Sequence, residues 1–199
     1  MALHSEELWR LASELLDPET LRDLHALVNA QPIAFDDLSQ LDRRIGGPSI
    51  STINRNGTGQ YEIADRDVFR PLQYCAMLFR NGLQRGELDW HARDIVEMSS
   101  LHIESLIKRV GNLFGLPLGA LLHKAIVRRR LDATTLNRLH RFTTFYNEAK
   151  HNMGHEKDSH LFSVPDAITA YFVSRRLGLT LYSLARVRTD LAVFEWMGT

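Results

Sequence analysis

The segment DWHARDIVEMSSLHIESLIKRVGNL, residues 89–113, carries an uninterrupted helical pattern. Glu104 and Lys108 stand four residues apart, which is the spacing of an ion pair on one helix face. The segment predicts a long amphipathic helix that begins at the cap residue Asp89 and ends near Gly115-Leu116-Pro117. The residues that share its buried face are Ala92, Ile95, Ser99, Ile103, Leu106, Val110 and Leu113.

Helical patterns continue on both sides of this segment. An apolar stripe begins at Asp67, and two further helices are predicted over about 117–130 and 133–153. A last helix begins at Ser163, where a capping-box spacing is followed by an apolar face. Four or five long helices joined by short turns predict an all-α helical bundle over residues 65–199.

The N-terminal part of the chain differs from this bundle. Residues 1–48 predict a small N-terminal helical extension with short helices at about 6–15, 18–29 and 35–45. Residues 49–64 contain Asn56-Gly57 between β-branched and aromatic residues, which is a hairpin signal. We expect a short β-hairpin or a loop connector there.

The net charge of zero conceals an uneven distribution. Residues 1–64 hold 5 Lys/Arg against 10 Asp/Glu, a net charge of −5, whereas residues 65–199 hold 19 against 14, a net charge of +5. The acidic part either rests on the basic part or competes with a polyanion for it, unless the asymmetry is without function.

The composition also limits the class of protein. No apolar run approaches the roughly 20 residues of a transmembrane helix. The N-terminal sequence MALHSEELWR lacks the features of a signal peptide, so we expect a cytoplasmic protein with no membrane partner. The single cysteine, Cys75, cannot form an internal disulfide and is interpreted as a small core residue.

Polar residues that could carry chemistry collect on the helix predicted for residues 133–153. At 100° per residue, four of them lie within about 60° of one another, adjacent to the apolar face, with Tyr146 and Lys150 at the border. Imidazole, amide and ammonium groups on one surface could transfer a proton and orient a phosphodiester. An ordinary, partly exposed helix surface is the alternative. The four residues are His140, Thr144, Asn147 and His151.

A metal site is a weaker interpretation of the same region. His151 and His155 have the i,i+4 spacing with which a helix presents two imidazoles to one ion. However, Gly154 predicts that the helix ends between them, and no glutamate follows His151 as in the metalloprotease motif. We therefore expect neither a metal nor another cofactor.

The run Asn147-x-x-Lys150-His151 on a late helix of an all-α bundle resembles the motif of the HEPN superfamily (higher eukaryotes and prokaryotes nucleotide-binding). That motif has an arginine, then a polar residue such as asparagine, then a histidine a few positions later. The resemblance covers at most residues 65–190 and rests on this one motif. It implies a bundle that commonly dimerises, and a metal-independent ribonuclease of a toxin–antitoxin or other defence system.

The sequence has Tyr146 where the family motif has arginine. A phenol supplies neither a permanent charge nor a bidentate phosphate contact. Either another cation takes over, or catalysis is lost and binding retained. On this basis the candidate catalytic residues are His151, Asn147, Lys150 and Tyr146, and the candidate substrate-binding residues are His140, Arg141 and Arg175.

Three functional hypotheses follow. The first is a HEPN-like protein that acts on or binds RNA, as the motif and the basic charge of residues 65–199 suggest. The second is a non-catalytic interaction module that forms a homodimer or binds a cognate protein. The third, a metal-dependent hydrolase, ranks well below the other two.

Overall fold

The computed structural model describes residues 3–47, 50, 66–151 and 162–187. Within these residues the chain forms α-helices and no β-strand, which confirms the predicted all-α bundle. None of the helices in these ranges is long and apolar enough to cross a membrane. The hairpin or loop predicted for residues 49–64 lies, except for Ile50, outside the described residues. The helices are α1 (Leu3–Leu15), α2 (Pro18–Val28), α3 (Phe35–Ile45), α4 (Arg66–Arg85), α5 (Leu88–Gly111), α6 (Leu118–Leu122), α7 (Ala125–Arg130), α8 (Ala133–His151) and α9 (Val164–Ala185).

The helix predicted from residues 89–113 is α5, and it occupies the centre of the bundle. Its cap residues are Glu87 and Asn112, so the predicted cap at Asp89 and the predicted end near residues 115–117 are wrong. It forms a hairpin with α4, and α6, α7, α8 and α9 pack around its remaining sides. Because it has neighbours on several sides, α5 buries polar residues together with its apolar stripe. The buried polar residues are Ser99, Ser100, His102 and Glu104.

The contact between α5 and α9 depends on a glycine. A Cβ atom at Gly178 would lie 2.7 Å from Nε2 of His102, so only glycine allows the helices this approach. The His102 ring is fully buried, and its Nδ1 lies 2.9 Å from the carbonyl oxygen of Val68. Its Nε2 lies 3.1 Å from the hydroxyl of Tyr182. Since a carbonyl can only accept, Nδ1 donates a proton and Nε2 accepts one, which fixes the neutral ring.

This neutral histidine makes stability depend on pH. Burial lowers the pKa of His102 to about 3. The unfolded chain takes up a proton near pH 6.5, whereas the folded chain does not. The free energy of unfolding therefore falls as pH falls, by about 1.5 kcal/mol between pH 6.5 and 5 from this residue alone. Urea unfolding at both pH values should show this fall in the native protein and a smaller one in His102→Gln. An equal fall in both proteins would contradict the prediction.

The helix predicted for residues 117–130 is two helices, α6 and α7, so this prediction is wrong. The chain turns at His123 and Lys124, which allows α7 to cover the end of α5. There, Arg130 Nη1 donates to the Val110 carbonyl at 2.8 Å. A Cβ atom at Gly111 would lie 2.9 Å from Val127, so the two helices meet closely. A straight helix could not pack beside α5 and also close its end.

The acidic N-terminal helices rest on the basic part of the chain. Glu14 on α1 accepts from Arg138 Nε at 3.1 Å and from Arg141 Nη1 at 2.7 Å. Glu7 accepts from Arg141 Nε. The Arg141 hydrogen bond holds the pKa of Glu14 below its ordinary value. Where α1 meets α8, the acidic part of the chain therefore rests on the basic part.

A buried ion pair joins α3 to α9. Arg175 Nε donates to Asp42 Oδ1 at 2.8 Å, and neither side chain is exposed to solvent. Tyr171 donates its hydroxyl to the same oxygen at 3.0 Å, and the Ile50 amide donates to Oδ2 at 2.8 Å. Arg175 Nη2 also donates to the Gly46 carbonyl at 2.6 Å. Asp42, Gly46 and Ile50 are thus tied to the middle of α9.

Candidate functional site

The helix that carries the predicted site, α8, starts where the sequence indicates. Asp132 Oδ1 accepts from the Thr135 amide at 2.8 Å, which satisfies a free amide of the first turn. The apolar side of the helix then packs against α5, α6 and α1. The residues buried on that side include Leu139, Phe142, Phe145, Tyr146 and Ala149.

The polar stripe of α8 faces solvent. Thr144, Asn147 and His151 are exposed, and His140 is partly covered. The prediction that the stripe lies adjacent to the apolar face is wrong, because Phe145 is also buried. With Phe145 included, the centre of the buried face of α8 is about 150° from the centre of the stripe. The stripe is therefore an open surface and not the wall of a groove between helices.

The last turn of α8 separates Tyr146 from the other predicted catalytic residues. Tyr146 is only 2 % exposed, and its hydroxyl makes no hydrogen bond. Burial raises the pKa of this phenol, and the carboxylates of Glu104 and Glu97 raise it further. Lys150 Nζ lies 5.4 Å from the centre of the ring and is itself exposed. The Tyr146 ring thus packs against Lys150. Its hydroxyl is buried and does not reach the surface that holds Asn147 and His151.

A cation from α5 reaches the same turn. Arg93 Nε donates to the carbonyl oxygen of Ala149 at 2.5 Å, two residues before His151. Arg93 makes no ion pair with any carboxylate that the structure describes. The sequence reasoning missed this residue, because its approach to α8 depends on how α5 and α8 pack. The one available signal was its position on the polar side of the α5 pattern.

A second group of residues lies near the middle of α8. The ring centres of His140 and His123 are 5.2 Å apart, with planes tilted by 45°. Desolvation lowers the pKa of His140, and the nearby His123 and Arg128 lower it further. His123 is exposed at the end of α6.

The two predicted substrate-binding arginines occupy other places. Arg175 is fully buried in its ion pair with Asp42, so it shares no surface with His151. Arg141 borders the stripe, but its guanidinium forms ion pairs with Glu7 and Glu14. The structure therefore brings Asn147, Lys150 and His151 together and leaves both arginines outside this set.

The three arginines at the end of α7, residues 128–130, have two different roles. Arg130 serves the fold by capping the Val110 carbonyl. Arg128 and Arg129 are exposed, and neither forms an ion pair with a described carboxylate. Arg129 Nε donates only to the Ala125 carbonyl of its own helix, at 3.3 Å. Two cations on α7 thus remain without a described ion pair, and Arg128 is the one that acts on His140.

The described residues contain no group of three His, Cys, Asp or Glu side chains that could hold a metal ion. His155, the proposed partner of His151, lies outside the described residues.

Comparison with known proteins identifies no family for this chain. The chain matches no protein-family model, no curated protein and no solved structure. The resemblance to the HEPN superfamily therefore depends on Asn147 and His151 and on their place in an all-α bundle.

Proposed function

We propose that this chain is a HEPN-like RNA-binding protein whose α8 stripe and α7 arginines contact the phosphodiester backbone. The observation that carries the proposal is the line of exposed polar side chains on α8, with cations along it that no described carboxylate neutralises. These cations are Arg128 near His140, with Lys124 and Arg129 close to it in sequence, and Arg93 and Lys150 near the last turn of α8.

Charge along the chain supports this assignment. Residues 105–147 contain 8 Lys/Arg and a single acid, Asp132, so their net charge is +7. Ion pairs with residues outside this range neutralise Lys108, Arg109, Arg138 and Arg141. Of the cations that remain, Arg128 acts on His140 in the stripe, where it would attract an anion by its charge alone.

The end of α8 also has groups suited to RNA cleavage. An imidazole such as that of His151 can transfer a proton to or from the 2′-hydroxyl, and the amide of Asn147 can orient it. Arg93 and Lys150 provide positive charge where the family motif has an arginine. We therefore extend the proposal to metal-independent cleavage of RNA, and the resemblance places such an activity in toxin–antitoxin or other defence systems.

Binding of a fluorescent single-stranded RNA at several salt concentrations tests the proposal. We expect affinity to fall steeply with salt, and Arg128→Gln/Arg129→Gln to reduce the slope of log K against log salt by about 1.4. Arg22→Gln/Arg43→Gln removes the same charge from exposed positions on α2 and α3 and is the matched control. Affinity independent of salt, or an equal loss in the control, would contradict the proposal.

A second candidate function is a non-catalytic module that binds a second copy of this chain. It is favoured by an apolar cleft of about 300 Å³ on the outer side of α4 and α5. Tyr74 and Met77 are 40 % and 39 % exposed there. Sedimentation of the native protein and of Met77→Glu tests it, and a monomer at all concentrations would argue against it. The cleft is lined by Tyr74, Met77, Leu78, Asn81, Asp94 and Met98.

A further inference from the structure

We propose that His123, His140 and Arg128 form a subsite for a phosphoryl oxyanion, which would hold one phosphate of the RNA whose binding is proposed above. The inference rests on that proposed function for the identity of the ligand. The site itself is argued from the three side chains and tested with a simple anion.

Geometry brings two proton donors to one place. His123 ends α6 and His140 lies in the second turn of α8, and packing of α6 on α8 sets their ring centres 5.2 Å apart. In the proposed subsite, one oxyanion lies beside the two rings and accepts from a nitrogen of each. The chain turns after His123 and begins α7, and Arg128 on that helix acts electrostatically on His140.

The electrostatics of the group lack a negative partner. His123 and Arg128 both act on His140 to disfavour its protonated form, and no described carboxylate acts to favour it. The acidic residues on the neighbouring helices are paired or hydrogen-bonded with other groups. Glu104 on α5 is bonded to Lys108 and to the Leu118 amide. Asp132 caps α8, and the α1 glutamates bind Arg138 and Arg141. A bound oxyanion would supply the charge that this cluster does not have.

Binding of an anion is therefore linked to protonation. Burial, His123 and Arg128 lower the pKa of His140 in the free protein, and a bound anion would oppose them and raise that pKa by about one unit. Affinity for the anion would then increase about tenfold as pH falls through the titration range of His140. Surface lysines would bind anions without such a pH dependence between pH 5 and 8.

Sulfate is a suitable probe, because it stays a dianion over this pH range. NMR titration of the histidine side chains, with chloride replaced by sulfate at constant ionic strength, should raise the pKa of His140. The shift should be smaller in Arg128→Gln, which removes an exposed residue, and absent at His25, an exposed histidine on α2. An unchanged His140, or an equal shift at His25, would overturn the subsite.

Two RNA arms identify the source of the phosphate. A short single-stranded RNA with a 5′-hydroxyl and the same RNA with a 5′-phosphate are titrated while His140 is observed. An equal rise in pKa supports a backbone diester, and a rise only with the 5′-phosphate supports a terminal monoester. If sulfate shifts His140 and neither RNA binds, the subsite stands and the proposed RNA function fails. If RNA binds without affecting His140, the subsite is overturned and the RNA function stands.

Discussion

Arg175→Met should lower the free energy of unfolding by about 3–5 kcal/mol, because it leaves the Asp42 carboxylate buried and unpaired. In the native protein this carboxylate accepts from Arg175, Tyr171 and the Ile50 amide, and it has no access to water. Methionine has a similar volume, so the loss would come from the missing charge and hydrogen bonds rather than from a cavity.

Chemical unfolding of two further variants separates this cause from others. Arg176→Met, on the exposed neighbouring position of α9, should cost less than about 1 kcal/mol. The double variant Asp42→Leu/Arg175→Met removes both charges and should recover much of the loss. A loss below about 1 kcal/mol in Arg175→Met would contradict the ion pair as a source of stability. An undiminished loss in the double variant would contradict the unpaired carboxylate as its cause.

His151→Ala should reduce cleavage of single-stranded RNA by about 10²–10⁴-fold, if the imidazole transfers the proton of the 2′-hydroxyl. The assay is run with labelled RNA in the presence of a chelator, since the proposed reaction needs no metal. His151 is exposed at the last residue of α8, so its replacement should not affect folding.

Two further variants, one control and one expected to lose activity, test which groups cleavage requires. Tyr146→Phe removes only a buried hydroxyl that makes no hydrogen bond, so cleavage should stay at the native rate. Arg93→Gln should slow cleavage, because it removes a cation that reaches the last turn of α8 from α5 and that we propose acts in place of the motif arginine. Equal cleavage by native protein and His151→Ala, or no cleavage by either, would remove the enzymatic part of the proposal and leave RNA binding to be judged separately.

Local sequence signals predicted the helices well. The capping aspartate at 132, the capping box at Ser163 and the apolar spacing of α5 depend on residues close in sequence, and each is found in the structure. The division of residues 117–130 into two helices was missed because it depends on how α7 closes the end of α5. Such a contact has no signature within the helix itself.

The candidate site was only partly predictable for the same reason. Asn147 and His151 follow from one motif on one helix, and the structure places them on one exposed line. His123 and Arg93 come from other helices and join the site only through packing. Arg175 shows the converse, since its charge suggests a surface residue. Its true place follows from the apolar residues around it on α9 and from a partner 133 positions away.

That separation also bears on how the protein is made. Asp42, Gly46 and Ile50 have their partners at residues 171 and 175, so α3 cannot reach its final state until α9 has left the ribosome. Helix α3 emerges before α9, so the carboxylate of Asp42 must remain in water until α9 brings its counter-ion. We therefore expect the nascent chain to gain protease resistance around α3 only after α9 has emerged, in one step that includes both helices.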